Sequence, residues 1–98
     1  MKDTIINKQL DEFLSALGLE SREVEVFTTL LGRGTMTALE LSRSTKIPRT
    51  TLYRIIESLK TKSVVEEVVE EYVAKIQAAP LSRLEYLVSE YKNKADTL

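Results

Sequence analysis

The sequence predicts a mostly α-helical domain with one small β-hairpin, and three observations predict it. Apolar residues recur at gaps of three and four over most of the chain, the spacing of one buried helix face. One valine-rich run, Val64 to Ala79, breaks that rhythm and reads as two short strands. The only two prolines, Pro48 and Pro80, stand where a helix would begin and a strand would stop.

Taken in order, Ile5, Ile6, Leu10, Phe13, Leu14 and Leu17 mark a first helix over roughly 4–17, with Gly18 as its C-terminal cap. Ser21 is the expected N-cap of a second helix, whose first turn carries Glu23 and Glu25 against the helix dipole. Its buried stripe is expected from Val24, Phe27, Leu30 and Leu31, and Gly32 and Gly34 end it. Thr37 and Glu40 form a T-x-x-E capping box at the start of a short third helix, about 38–44, with Ala38, Leu39 and Leu41 available for burial. Residues 45–47 make a turn. Pro48 suits the first turn of a fourth helix over 48–61, where its missing N–H costs nothing.

In that fourth helix Leu52, Ile55, Ile56 and Leu59 fall at i, i+3, i+4 and i+7 and face the core. Arg49, Thr50, Tyr53, Arg54, Glu57 and Lys60 then face outward, with Thr51 at the edge. Strands are expected over 64–69 and 72–78, joined near Glu70-Glu71. Beyond Pro80, the period set by Leu81, Leu84, Leu87, Val88 and Tyr91 gives a fifth helix to about Lys94. The chain is thus expected to be a single domain over 1–98, with a helix-turn-helix unit at 37–61, a wing at 64–79 and a possible dimerisation helix at 81–95.

Composition narrows the chemistry. The chain of 98 residues is 43% apolar and 30% charged, as expected of a globular domain. It has no cysteine and no histidine, which excludes disulfides, thiol chemistry, the usual zinc sites and the commonest general base near neutral pH. No glycine-rich phosphate loop is present. The expectation is therefore no catalytic residue, no metal and no cofactor. No apolar run approaches the roughly 20 residues that span a membrane, and a soluble, cytoplasmic protein is expected.

Charge is distributed unevenly. The net charge is −1, yet Arg43 to Lys62 holds Arg43, Lys46, Arg49, Arg54, Lys60 and Lys62 against Glu57 alone, a local +5 that leaves −6 for the rest. A charge run is ordinarily a solvated face. This one coincides with a short capped helix, a tight turn and a longer helix, which is the helix-turn-helix unit. The second helix of such a unit lies in the major groove of double-stranded DNA, with its first side chains at base edges. Arg49 is then placed to donate to a guanine edge or a phosphate. Arg54 suits the flanking backbone or a deeper base. Thr50 and Thr51 suit phosphates or thymine methyls. Tyr53 offers a hydroxyl, or caps the core beside Leu52. Lys46 in the turn suits a phosphate, as does Thr37 with the N–H groups behind it. A hairpin after this unit makes the fold a winged helix.

The stretch "FLSALGLESREVEVFTTLLGRGTMTALELSRSTKIPRTTLYRIIESLKTKSVVEE" resembles the N-terminal winged-helix domain of the TrmB-like archaeal transcriptional regulators. The likeness is carried by "LGL" before the second helix, Thr37, "IPRTTLY" at the start of the fourth, "ESLKTKSVVEE" leading into the wing and "AAP" before the fifth, and it covers roughly 13–88. It implies a winged-helix DNA-binding regulator without catalysis. The family often has glycine where Lys46 and Ser63 stand, at positions that tend to need φ > 0. Its wing is commonly basic, whereas this one carries Glu66, Glu67, Glu70 and Glu71 against Lys75, so the wing is expected to stay off the phosphates. Larger members add a C-terminal effector domain, and none is expected in this chain.

Leu84, Leu87, Tyr91 and Leu98 fall near heptad spacing. Either they enter the domain's own core, or they form a homodimer seam that supplies the second half-site. Dimerisation is the expected use. Two other classes stay open: a protein-interaction winged helix, which the acidic wing favours and the basic face opposes, and a carboxylate enzyme, for which no convergent polar cluster is present.

Overall fold

The computed structural model describes residues 12–97, and its element order is the expected one. Residues 12–16 are helical and form the end of α1; the part of the expected helix before residue 12 lies outside the described residues. There follow α2 (Ser21–Arg33), α3 (Ala38–Thr45), α4 (Arg49–Thr61), β1 (Val65–Glu70), β2 (Val73–Ala78) and α5 (Leu81–Thr97).

The end of α1 is built by Gly18. At φ 79° it takes the left-handed conformation, and the turn closes with Leu19 N–H to Leu14 O at 3.2 Å and Gly18 N–H to Ser15 O at 2.9 Å. This paired closure is the Schellman motif. It turns Leu19 back onto the core, where Leu14 is fully buried.

The cap of α2 is Glu20, not Ser21, which is its first helical residue. The Glu20 N–H donates to Glu23 Oε1 at 3.1 Å. The buried face is Glu23, Val26, Phe27 and Leu30 rather than Val24, Phe27, Leu30 and Leu31. Val24 is only partly buried and Leu31 is 46% exposed. The face is rotated because a glutamate holds one of its positions, and an acid in a stripe reads as surface. Glu23 is satisfied inside: its Oε1 accepts Lys62 Nζ at 2.7 Å and its Oε2 accepts the Ser58 hydroxyl at 2.8 Å. Lys62 also donates to Gly18 O at 3.0 Å. Gly32 lies within α2, and the helix stops at Gly34, whose N–H bonds Leu30 O at 2.8 Å.

Between α2 and α3 the chain makes a contact with no sequence signal. Met36 and Ile76 exchange both backbone bonds, at 2.9 and 2.7 Å, and add a one-residue strand to the hairpin. The Thr37–Glu40 capping box is present at the start of α3. Of the residues expected to be buried there, Leu41 is fully buried, Ala38 packs against the core and Leu39 is 40% exposed. The turn into α4 is set by Lys46 at φ 61° and by buried Ile47, whose carbonyl accepts the Ser42 hydroxyl at 2.7 Å. Pro48 is the N-cap of α4, one residue before its start, and Leu52, Ile55, Ile56 and Leu59 are its buried face.

The hairpin is antiparallel, in register from Val65↔Ala78 to Glu70↔Val73. Its two-residue turn, Glu71-Tyr72, lies one position beyond the expected junction, with φ of 51° and 67°. Two consecutive positive φ angles define a type I′ turn, which matches strand twist but favours Asn-Gly. Val65 and Ile76 anchor the base of the hairpin in the core, while Val69 and Tyr72 at the tip are exposed.

Leu84 joins the core of its own chain at 4% exposure, and Leu87 packs against that core. Tyr91 is 53% exposed, as are Leu81 and Tyr86 further round the helix at 68% and 62%. Leu84 is therefore packed inside its own chain, at the end of the first turn of α5, where its N–H bonds Pro80 O at 3.2 Å. Leu98 lies outside the described residues.

Two predictions follow from these elements. Burial alone would raise the pKa of Glu23, but the bonds from Lys62, the Glu20 N–H and Ser58 outweigh it and leave it below the ordinary 4.5. The stabilisation is therefore complete above that ordinary value and is lost as the pH falls through the lower folded-state value. Glu23→Gln should cost about 1–3 kcal/mol at neutral pH, and its urea midpoint should fall less between pH 6 and pH 3 than that of the wild type; an equal fall would show that Glu23 carries none of the acid sensitivity. Asn-Gly in place of Glu71-Tyr72 should raise stability by about 1–2 kcal/mol, since each side chain in the left-handed region is strained. Denaturant titration of that double variant measures the gain.

Candidate nucleic-acid interface

The outward surface of α4 divides into two flanks, because successive residues turn by about 100°. Arg49, Tyr53 and Lys60 share the flank that faces the hairpin, above a groove of about 300 Å³ floored by Leu39, Ile56 and Ile76. Thr51, Arg54, Ser58 and Lys62 share the other flank, facing the start of α2 across an open cleft of about 490 Å³. Thr50 lies between the flanks and is exposed.

The two flanks use their charges differently along the helix. At the C-terminal end Lys62 is held by Glu23, and Lys60 by Glu67 at 3.1 Å and Glu57 at 3.3 Å. Those two carboxylates, Glu67 first, keep the Lys60 pKa above its ordinary value. Among the described residues, Arg43, Lys46, Arg49 and Arg54 form no ion pair. The local +5 read from the sequence thus resolves into an anchored C-terminal half and four free cations around the turn and the first half of α4.

Each residue expected at the site has a definite place. Arg49 is the first residue of α4, and its Nη2 donates to the Tyr53 hydroxyl at 3.2 Å. Tyr53 is 49% exposed beside the core, so its hydroxyl braces Arg49 from the surface. Thr51 is half-buried and Arg54 exposed, both on the α2 flank. Lys46 is exposed in the turn. Thr37 is committed to its helix: its hydroxyl accepts the Glu40 N–H at 3.1 Å, and its own N–H donates to Glu40 Oε1 at 3.1 Å. These bonds, backbone first, draw the Glu40 pKa down, so an anion approaching the start of α3 meets a carboxylate. Arg22 lies outside the basic segment and no local pattern marks it. Only the fold brings it to the cleft that Arg54 lines.

Three of the wing's four glutamates are ion-paired. Glu66 pairs with Arg83 at 2.8 Å, Glu67 with Lys60, and Glu70 with Lys75 at 3.2 Å. Glu71 at the tip is left without an ion pair among the described residues. Among those residues there is also no group of acids able to hold a metal ion, and no helix long and apolar enough to cross a membrane.

This arrangement of helices and hairpin is shared with solved structures of low sequence identity. A possible transcriptional regulator from Methanosarcina mazei Go1 superposes with a TM-score of 0.75 at 18% identity, covering 89% of this chain and 80% of that one. The ST1889 protein of the thermoacidophilic archaeon Sulfolobus tokodaii gives 0.77 at 14% identity, covering 93% and 94%. The oxidized form of MarR from E. coli gives 0.64 at 18% identity, covering 93% and 74%. At these identities the likeness establishes the winged-helix fold. No curated protein matches the sequence. The family described as the sugar-specific transcriptional regulator TrmB matches residues 14–82. That match takes in α2, the helix-turn-helix unit and the whole hairpin, and by it the chain belongs to the TrmB family of transcriptional regulators.

Proposed function

We propose that this chain is a sequence-specific double-stranded-DNA-binding regulator that acts as a homodimer, with α4 in the major groove. The observation that carries the reading is the set of free cations, Arg43, Lys46, Arg49 and Arg54, gathered at the turn and the first half of α4 while the cations after them are paired. Arg49, braced by Tyr53, is the base-reading candidate. Lys46 and Arg54 are suited to phosphates. The reading assigns no catalysis, metal or cofactor, and it places the protein in the cytoplasm with its DNA.

The homodimer is proposed through α5. With Leu84 in the core, the seam moves to Tyr91 and the exposed edge of Leu87, which line a cleft of about 250 Å³ with Ala16 and Leu17. Two recognition helices about 34 Å apart would meet successive turns of the duplex. A second reading, a protein-interaction module, is favoured by the wing tip, where fully exposed Tyr72 stands beside Val69 and Val73 at 71% and 45% exposure.

The expected outcomes separate the two. Arg49→Ala should weaken specific duplex binding by about 1–3 kcal/mol and relax preference at one position. If about three phosphates are neutralised per protomer, log affinity against log salt should have a slope near −5 for the dimer. Wild-type affinity in Arg49→Ala, Arg54→Ala and the double variant would remove the DNA reading in favour of the interaction module. Tyr91→Glu should yield folded monomers in sedimentation and roughly halve the slope, whereas Leu84→Glu should unfold the domain. A wild type that sediments as a monomer at tens of micromolar would end the dimer proposal.

A further inference from the structure

We infer that the cleft between the start of α2 and α4 is a binding site for a DNA backbone phosphate, and that Arg22 supplies charge to it from outside the helix-turn-helix unit. The inference rests on the duplex-binding reading above and adds a contact on the side of α4 away from the wing.

The polar groups around this cleft fall into two sets. Glu23, Ser58 and Lys62 satisfy one another at its base. Arg22, Arg54, Ser21 and Thr51 also line it, and among the described residues their side chains have no hydrogen-bond or ion-pair partner. The two guanidinium groups are donors only, and both hydroxyls can donate. A site offering two guanidinium groups and two hydroxyls matches the oxygens of a phosphodiester, which Arg binds through a planar fork. Glu20 on the rim opposes an anion, but against Arg22 and Arg54 the free lining stays net positive. A base edge offers no such charge.

Position agrees with chemistry. Arg49 leaves α4 on the wing flank and Arg54 on the α2 flank. A helix lying in the major groove has a phosphate strand beside each flank. On the α2 flank the strand meets Arg54 first and then Arg22 across the cleft. Arg22 is exposed on the first turn of α2 and takes no part in the core, so its removal leaves the fold intact.

The test is duplex binding by the full chain as a function of salt, for wild type, Arg22→Ala, Arg49→Ala and Arg54→Ala, with thermal melting as the folding check. Arg22→Ala should lower the salt slope by about one per bound protomer and weaken every duplex on the order of tenfold at 0.1 M salt. Its ranking of sequences should be unchanged, whereas Arg49→Ala should alter that ranking. Wild-type slope and affinity in Arg22→Ala, with Arg49→Ala weakened, would overturn the cleft proposal and leave the duplex reading standing. No effect of Arg22→Ala, Arg49→Ala or Arg54→Ala would overturn both. If calorimetry shows inorganic phosphate bound by wild type and lost in Arg22→Ala while the duplex slope is unchanged, the ligand is a free anion and the backbone assignment is wrong.

Discussion

The Glu23–Lys62 pair, closed by Ser58 and the Gly18 carbonyl, is the interaction on which the orientation of α4 depends. The apolar face of α4 supplies attraction, but hydrophobic contact has no preferred direction and would tolerate some rotation about the helix axis. Directional bonds remove that freedom. At one end Ile47 is buried and its carbonyl tied to Ser42. At the other, Lys62 reaches both the α1–α2 turn and the start of α2. Taking these charges out of water offsets much of their attraction, so the pair contributes direction as well as stability. Rotation of α4 would carry Arg49 and Arg54 off their flanks together.

The same cluster changes how the basic segment is to be understood. Six bases and one acid look like one positive patch in sequence, but Lys60 and Lys62 answer to carboxylates from the wing and from α2. The wing benefits in turn. Glu66, Glu67 and Glu70 are each met by a cation from α5, α4 or the opposite strand. Among the described residues the wing's carboxylate without an ion pair is thereby the one at the exposed tip, where Glu71 and Tyr72 sit in a strained turn. A chain of net charge −1 can in this way present a concentrated positive surface without being basic overall.

What was legible in the sequence was local. The capping box at Thr37, the i, i+3, i+4, i+7 face of α4 and the valine-rich hairpin are signals contained within a few residues, and all three stand in the structure. The two non-glycine positions expected at φ > 0, Lys46 and Ser63, have φ of 61° and 64°. What was not legible was relational. Glu23 looks like a surface helix acid until Lys62 and Ser58 arrive from 39 and 35 residues away. Met36 pairs with Ile76 across 40 positions, and Arg22 meets the α4 flank only through the fold. Leu84 illustrates the converse: its spacing fits a seam and a core equally, and only the fold shows it packed in the core.

The three helices of the central unit also differ at their first turns. In α2 and α3 a glutamate occupies the third position and bonds the backbone of its cap, Glu23 to Glu20 and Glu40 to Thr37. These acids neutralise the positive end of each helix dipole. α4 has no acid in its first turn and begins with Arg49. A cation at that end is locally unfavourable by some tenths of a kcal/mol, and among the described residues no carboxylate pairs with it. The device that would stabilise α4 is present on both neighbours and is missing where the free cations gather. Stabilising bonds on α4 are instead concentrated at its far end, at Ser58, Lys60 and Lys62. The helix is thus tied to the domain through its C-terminal half, while its N-terminal half has no acid in its first turn and carries Arg49 and Arg54 without ion pairs among the described residues.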